Sequence, residues 1–227
     1  MIYSDPRLLS LGVIHGTTDR SMGNMRLPEN TRALWDGLQI PAEKIARFKQ
    51  IHSDRLLLVT SPAHLSDTAA PLPEADGWVV SGPGLGAAIL TADCEPLIVW
   101  DAKAEVVGLS HCGWRGVLAE LPAKTVAHMR QAGAKGPFSA WIGPHIQACC
   151  FEVQADVADQ FPGYVLQKGG KLFLNLNRAI LDQLTAQNIS PQAVTMPYYC
   201  TCGDARRFFS YRRDHTKEAL LTFVYRP

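Results

Sequence analysis

Short apolar runs bounded by Gly, Pro and Asp fill the middle of the chain. These runs are RLLLVT (55–60), DGWVV (76–80), GAAILTA (86–92), PLIVW (96–100) and EVVGLS (105–110). Their length and their content of β-branched residues predict strands. Several are apolar at successive rather than alternate positions, which indicates strands that are covered on both faces.

Helical spacing of apolar residues flanks this strand-rich region. Residues 28–38 begin with polar side chains and carry Leu34 and Leu38 four positions apart, which predicts a short helix. Further helices are predicted over 119–133, 152–161 and 175–188.

The remaining segments complete an α+β pattern. Strands are predicted for FSAWIG (138–143), RRFFSY (206–211) and ALLTFVY (219–225), and a surface loop for residues 61–75. In RRFFSY, alternation would place Phe208 and Phe209 on opposite faces. With no internal repeat or linker, we predict that residues 1–227 form a single α+β domain with mixed sheets.

Composition narrows the class of protein. The 227 residues are 47% hydrophobic and 19% charged with a net charge of +1, as in folded globular proteins. No run of Lys and Arg is longer than two residues, which argues against a nucleic-acid partner. Neither a secretory signal nor an apolar run long enough to cross a bilayer is found, so we expect a cytoplasmic protein without a membrane partner. Its six cysteines are then expected to be thiols.

Two reactive side chains interrupt neighbouring apolar runs. Cys94 precedes PLIVW and His111 follows EVVGLS. If these runs pair as a hairpin, both residues reach the same edge of the sheet. A Cys beside a His supports either nucleophilic catalysis or zinc binding, whereas a buried Cys and a hydrogen-bonded His would be purely structural.

A third residue favours the metal. His52 lies at the entrance to the RLLLVT strand among polar neighbours, where loop residues gather around sites. Two His and one Cys would form a three-ligand zinc site of the catalytic type, with an open fourth position.

Other motifs carry less information. SGPGLG (81–86) precedes a strand rather than a helix, so we predict a turn and not a phosphate loop. Cys149-Cys150 and Cys200-x-Cys202 lack the C-x-x-C spacing of a structural zinc site and are predicted to be buried thiols. The arginine-rich segment 205–214 offers guanidinium groups for an anion.

Five motifs in sequence order resemble one family. KQIHSD, LTADCEPLIVWD, SHCGWRG, WIGPHIQACCFEV and FFSYRRD are similar to the motifs of the YfiH-like laccase-domain family of purine nucleoside phosphorylases, formerly labelled polyphenol oxidases. The resemblance runs from about residue 30 to residue 214.

The resemblance implies a fold and a chemistry. The fold would have two mixed sheets with helices outside, as in cytotoxic necrotizing factor, and His52, Cys94 and His111 would hold Zn²⁺ rather than copper and form the catalytic centre. The resemblance implies an enzyme that cleaves adenosine, inosine, guanosine and methylthioadenosine with phosphate and that also deaminates adenosine. Arg32, Arg115 and Arg212 are the candidate contacts for nucleoside and phosphate, in a monomer or homodimer.

The chain also departs from the family pattern. The N-terminal segment HGTTDRSMGNMRLPENTR lacks the usual double Gly, and Arg20, Asn24 and Arg32 stand where substrate contacts are expected. Cys112 replaces the usual Ala, and Glu95 replaces an apolar residue.

Two other activities compete with phosphorolysis. The first is a metal-free Cys94–His111 hydrolase or amidase, since some bacterial relatives look like editing amidases for peptidoglycan precursors. The second is a multicopper oxidase, but the chain has only seven His and no H-x-H pair to supply several copper centres. The sequence also lacks the H-x-E…P-C-x-x-C signature of the zinc deaminases.

Overall fold

A computed structural model describes residues 1–62 and 71–227. Most of the loop predicted over 61–75 lies outside the described residues. The strands are β1 Ile2–Tyr3, β2 Ile14–Thr18, β3 Ile45–Ala46, β4 Leu56–Val59, β5 Gly77–Ser81, β6 Leu85–Thr91, β7 Glu95–Asp101, β8 Val106–Cys112, β9 Phe138–Ile142, β10 Glu152–Val153, β11 Val165–Lys168, β12 Lys171–Leu174, β13 Val194–Thr195 and β14 Leu220–Arg226. The helices are α1 Pro6–Ser10, α2 Pro28–Leu38, α3 Trp114–Leu118, α4 Leu121–Gln131, α5 Ala155–Ala158, α6 Leu176–Ala186 and α7 Tyr211–Asp214.

The six-stranded sheet carries the central apolar runs. Its order is β13-β9-β7-β8-β5-β4, with β7 and β8 antiparallel at its centre. Every residue of β7 and β8 is buried, as their continuous apolar character predicted. Their register pairs Pro96 with His111, which confirms the predicted hairpin.

A five-stranded sheet packs against this one. Its order is β1-β2-β14-β6-β3, and its β3 strand runs parallel to β6 while β14 runs antiparallel to it. The predicted turn at 81–86 joins β5 to β6 and so carries the chain from one sheet to the other. A separate three-stranded sheet has the order β10-β12-β11.

Apolar clusters hold the layers together. Between the two large sheets lie buried residues that include Trp78, Trp100 and Trp141. On the far side of the six-stranded sheet, residues such as Met129 of α4 and Ile180 of α6 cover its other face. Helix α2 covers the outer face of the five-stranded sheet with Leu34 and Trp35. Two mixed sheets with helices outside confirm the predicted α+β class.

One predicted helix is confirmed and another is shorter than predicted. The helix predicted over 119–133 is present as α4, and the short helix α3 precedes it, outside the predicted range. Glu120, which has a left-handed conformation with φ of 63°, separates the two helices. The helix over 152–161 shrinks to the four residues of α5, since β10 takes its first residues.

The predicted strand RRFFSY is wrong. Residues 208–210 are irregular and lead into helix α7. Phe208 and Phe209 are both buried, together with Leu220. Alternation predicted a strand with one face exposed to solvent. Both rings are instead buried by tertiary packing, which overrides the local pattern.

Candidate metal centre

The β6–β7 connection and the end of β8 bring Cys94 and His111 together. Cys94 follows Asp93, whose φ of 101° turns the chain sharply between the two sheets. His111 lies one residue before the end of β8, beside the start of β7. The antiparallel pairing of β7 and β8 therefore places both side chains at one sheet edge.

His52 completes the group from a tight turn before β4. Its φ of 59° is in the left-handed region, so the turn presents its imidazole towards the sheet edge. The His52 and His111 rings lie 4.8 Å apart, edge to face. The candidate ligand atoms of His52, Cys94 and His111 all lie within 4.8 Å of one another.

Gly113 leaves room for this group. A Cβ atom at residue 113 would lie 3.1 Å from His52 Cδ2 and 3.2 Å from Cys94 Sγ. Both distances are tighter than ordinary van der Waals contacts, so a side chain would press on two of the three candidate ligands. Glycine in the H-x-G-W-R-G motif therefore serves the site directly.

Asp76 orients two of the three residues. Its Oδ1 lies 3.0 Å from His111 Nδ1, and its Oδ2 accepts hydrogen bonds from Ile51 N (3.2 Å), Ser53 N (2.6 Å) and Ser53 Oγ (2.8 Å). The carboxylate is fully buried. It thus fixes the turn that carries His52 and holds the His111 proton on Nδ1, which leaves Nε2 free to bind a metal.

The group forms an ion pair when it holds no metal. The pKa of Cys94 is lowered to about 6: burial raises it, but the neighbouring His111 and the hydrogen bonds from both imidazoles outweigh burial. The pKa of His111 is raised to about 9, because the Cys94 and Asp76 charges outweigh its burial. Cys94 is therefore a thiolate at neutral pH.

The donor set suits a metal ion. Two imidazoles and a thiolate are the ligands that Zn²⁺ prefers, and the carboxylate behind His111 matches the usual support of a metal-binding histidine. The described residues thus contain a possible metal-binding group.

A cleft of about 970 Å³ opens over this group. Arg115 and Arg212 line it, and Arg115 stacks at 4.2 Å on the Trp114 ring. Arg32 is not brought there: it lies exposed on α2, which covers the outer face of the other sheet, and it is not among the described residues that line the cleft. The volume is that of a typical small-molecule site.

Asp93 fixes the wall that contains Arg212. Its carboxylate accepts hydrogen bonds from Thr201 Oγ1 (2.6 Å), Ser210 Oγ (3.0 Å) and Arg212 N (2.7 Å). The Arg212 guanidinium also lies over the Phe151 ring and donates to the Glu152 carbonyl. A buried acid next to the candidate ligand Cys94 thus anchors a segment more than a hundred residues away.

Glu95 and Cys112 lie side by side on β7 and β8, facing the helical side of the sheet. Glu95 is 1% exposed, and neither carboxyl oxygen has a hydrogen-bond partner among the described residues. Burial, together with the Cys94 charge, raises the pKa of Glu95 well above its usual value. Glu95 is also among the residues that line the cleft.

Sequence reasoning missed Asp76 and Asp93. Both acids were visible as strand boundaries, in DGWVV and in the T-A-D-C motif. Their partners lie on distant segments, so only the fold shows what they hold. An acid at the junction of two buried strands was the available signal.

Comparison with known proteins identifies relatives over nearly the whole chain. The sequence model described as "Multi-copper polyphenol oxidoreductase laccase" matches residues 16–224. A protein from Deinococcus radiodurans named "Purine nucleoside phosphorylase" is 32% identical over 205 residues, which cover 86% of this chain and 75% of that protein. "Purine nucleoside phosphorylase YfiH" from Escherichia coli is 27% identical over 202 residues, covering 87% and 79%.

Solved structures share the fold. The crystal structure of YlmD from Geobacillus stearothermophilus superposes with a TM-score of 0.87 at 27% identity, covering 98% of this chain and 94% of that one. That of the Bacillus licheniformis hypothetical protein YfiH gives a TM-score of 0.83 at 26% identity, covering 95% of this chain and 93% of that one.

Among the described residues, no helix has the length and apolar character to span a bilayer.

Proposed function

The chain belongs to the multi-copper polyphenol oxidoreductase laccase family, and on that basis we propose that it is a zinc-dependent purine nucleoside phosphorylase. The observation that carries the proposal is the convergence of His52, Cys94 and His111 in a cleft that four arginines also line, Arg115 and Arg212 among them. The names of the curated relatives supply the reaction class.

The proposed reaction is phosphorolysis. A phosphate oxygen attacks C1′ of the ribose, and the bond from C1′ to the purine nitrogen breaks. The sugar leaves as ribose 1-phosphate, and the base takes up the proton that the phosphate loses. Arg115 and Arg212 bind the phosphate oxygens, because guanidinium groups match their geometry and charge. Residues 1–227 act as one domain in this proposal.

A bound zinc would supply a Lewis acid that orients and polarises an oxygen of the reactants. His52, Cys94 and His111 would hold it, and Asp76 would keep His111 in the tautomer that exposes Nε2. Apolar residues of the cleft, including Phe151 and Leu176, exclude water from the bound nucleoside.

The proposed substrates are adenosine, inosine, guanosine and methylthioadenosine. The test is incubation of metal-loaded protein with each nucleoside, with and without phosphate, with chromatographic detection of products. Free base that forms only with phosphate supports phosphorolysis, and inosine from adenosine would add deamination. If no nucleoside changes in any mixture, the proposal fails.

Variants assign the arginines. Arg115→Ala or Arg212→Ala should raise the KM for phosphate by about tenfold or more, since each removes charge-assisted hydrogen bonds worth about 1.5–3 kcal/mol. Arg178→Ala is the matched control, because that exposed guanidinium pairs with Asp182 on the surface of α6. Equal KM values for all three variants would exclude these roles.

A Cys94–His111 amidase or hydrolase is the second candidate, and the thiolate–imidazolium pair favours it. In this alternative, the Cys94 thiolate attacks an amide carbonyl of a peptidoglycan precursor, the C–N bond breaks, and the amine leaves with a proton from His111. Water then hydrolyses the thioester and releases the acid, and no metal is needed. Metal analysis separates the two: stoichiometric zinc that is lost in Cys94→Ser opposes the dyad. Amide cleavage by chelator-treated protein would support it instead.

A further inference from the structure

Three thiols outside the His52–Cys94–His111 group form a second cluster. Cys149 and Cys150 lie on the turn after β9, and Cys200 lies on the segment that leads to α7. Cys149 Sγ is 3.5 Å from Cys150 Sγ and 3.7 Å from Cys200 Sγ. All three sulphur atoms lie within 4.8 Å of one another.

The backbone fixes this arrangement. Thr201 N donates to the His145 carbonyl at 2.9 Å, and His145 and Cys200 form an isolated parallel bridge. On the other side, Cys150 N donates to the Gln147 carbonyl at 2.9 Å and closes the turn. The sulphur atoms therefore meet because two segments are held together, and not through a chance choice of rotamers.

Two backbone N–H groups surround the sulphur atom of Cys200. Gln147 N and Gly203 N point at its Sγ, at 3.5 Å and 3.3 Å. Backbone N–H groups aimed at sulphur stabilise negative charge on it, as they do around metal-bound thiolates. Three thiolates this close repel one another, and a cation between them removes that repulsion.

We propose that Cys149, Cys150 and Cys200 form a structural site for a thiophilic cation, Zn²⁺ or Cu⁺, separate from the His52–Cys94–His111 group. Soft sulphur ligands select these ions over Mg²⁺ or Ca²⁺. The prediction of buried thiols is wrong here: Cys149 is exposed, and Cys150, Cys200 and Cys202 are partly exposed. The exposure of Cys149 provides an entry path for the ion. Cys202 lies two residues further on and is not part of the ligand set.

The ion would link two segments that form walls of the cleft. Phe151 follows Cys150 directly, and Arg212 belongs to the segment that begins at Cys200. Their side chains already meet, with the guanidinium 5.4 Å from the ring centre, and both line the cleft. A metal between the two segments would hold this contact in place when the substrate enters.

Metal counting tests the site. The full-length protein is loaded with Zn²⁺, or with Cu⁺ under anaerobic conditions, in reducing buffer, and desalted metal is measured per chain. Wild-type protein should hold one equivalent more than Cys149→Ser or Cys200→Ser, and Cys202→Ser should match wild type. The ion that shows this difference is the one that the three thiols bind. The difference in metal content between wild type and the variants does not depend on whether the His52–Cys94–His111 group binds metal, nor on any nucleoside turnover.

Alkylation of the wild-type protein gives a second readout that needs no folded variant. Metal-loaded and chelator-treated samples are exposed to iodoacetamide, and modified cysteines are identified by mass spectrometry. Joint protection of the three thiols by metal, with Cys202 modified equally in both samples, supports the site. The proposal is overturned if wild type and both serine variants, Cys149→Ser and Cys200→Ser, hold the same amount of metal. It is also overturned if bound metal does not slow the alkylation of the three thiols.

Discussion

Replacing Asp76 by Asn tests the support behind the metal centre. The carboxylate accepts four hydrogen bonds with two oxygens, from His111 Nδ1 and from the turn at 51–53. An Asn side chain has the same shape but only one acceptor oxygen, so its NH₂ group must face either the imidazole N–H or the backbone N–H groups of the turn. At least one buried donor is left without an acceptor in either orientation, and both backbone N–H groups of the turn lose theirs if the NH₂ group faces them.

The magnitude follows from these contacts. Loss of a partner that orients a metal-binding His weakens metal binding by roughly 10–100-fold, or about 1.4–2.7 kcal/mol. The buried unpaired donor separately lowers the free energy of unfolding of the metal-free protein by about 1–3 kcal/mol. The first effect is on affinity and the second on stability, so the two can be measured independently.

Competition with a chromophoric chelator measures the zinc affinity, and urea denaturation measures the stability. Asp101→Asn is the matched control: this buried carboxylate also accepts backbone hydrogen bonds, from Glu105 N and Val106 N, but at the opposite end of β7. Its zinc affinity should equal that of wild type. A folded Asp76→Asn variant with wild-type zinc affinity would refute the role given to Asp76.

Three further predictions follow from the site. Glu95→Leu should raise the free energy of unfolding by about 1–3 kcal/mol in urea denaturation, because it removes a buried carboxyl without a partner. Since the raised pKa of Glu95 makes its ionisation in the folded state costly, this stabilisation should grow as pH rises above 4.5. A stabilisation that shrinks as pH rises would contradict the raised pKa of Glu95. In chelator-treated protein, the rate of Cys94 alkylation should have its midpoint at a pH of about 6, since the lowered pKa keeps the thiolate at that pH, whereas a midpoint near 9 would show an unpaired thiol. Asp93→Asn should weaken phosphate binding more than nucleoside binding, because the acid anchors Arg212; equal KM changes for both substrates would point to general loosening instead.

The sequence predicted the central sheet because its strands carry their own signal. β7 and β8 are buried on both faces, and continuous apolar runs are typical of such strands. Their hairpin pairing then put Cys94 and His111 at one edge without any knowledge of the rest of the fold. Helix α2 was predicted with its bounds because its apolar face is regular.

Other parts depend on contacts that local patterns do not contain. His52 reaches the site through a left-handed turn that Asp76 stabilises from 23 residues further along the chain. Arg32 was expected at the substrate from family resemblance alone, and it lies exposed on α2, outside the described residues that line the cleft. Cys149, Cys150 and Cys200 lacked a recognisable spacing because two segments about fifty residues apart supply the sulphur atoms.

Zinc titration coupled to turnover tests the central proposal most directly. Metal-free Cys149→Ser protein, which lacks the second proposed site, is titrated with Zn²⁺ while phosphate-dependent release of free base from inosine is followed. The rate should rise in proportion to bound zinc and level off at one equivalent, and His111→Ala should stay inactive throughout. Base release that is complete without zinc, or that never depends on phosphate, would contradict a zinc-dependent phosphorylase.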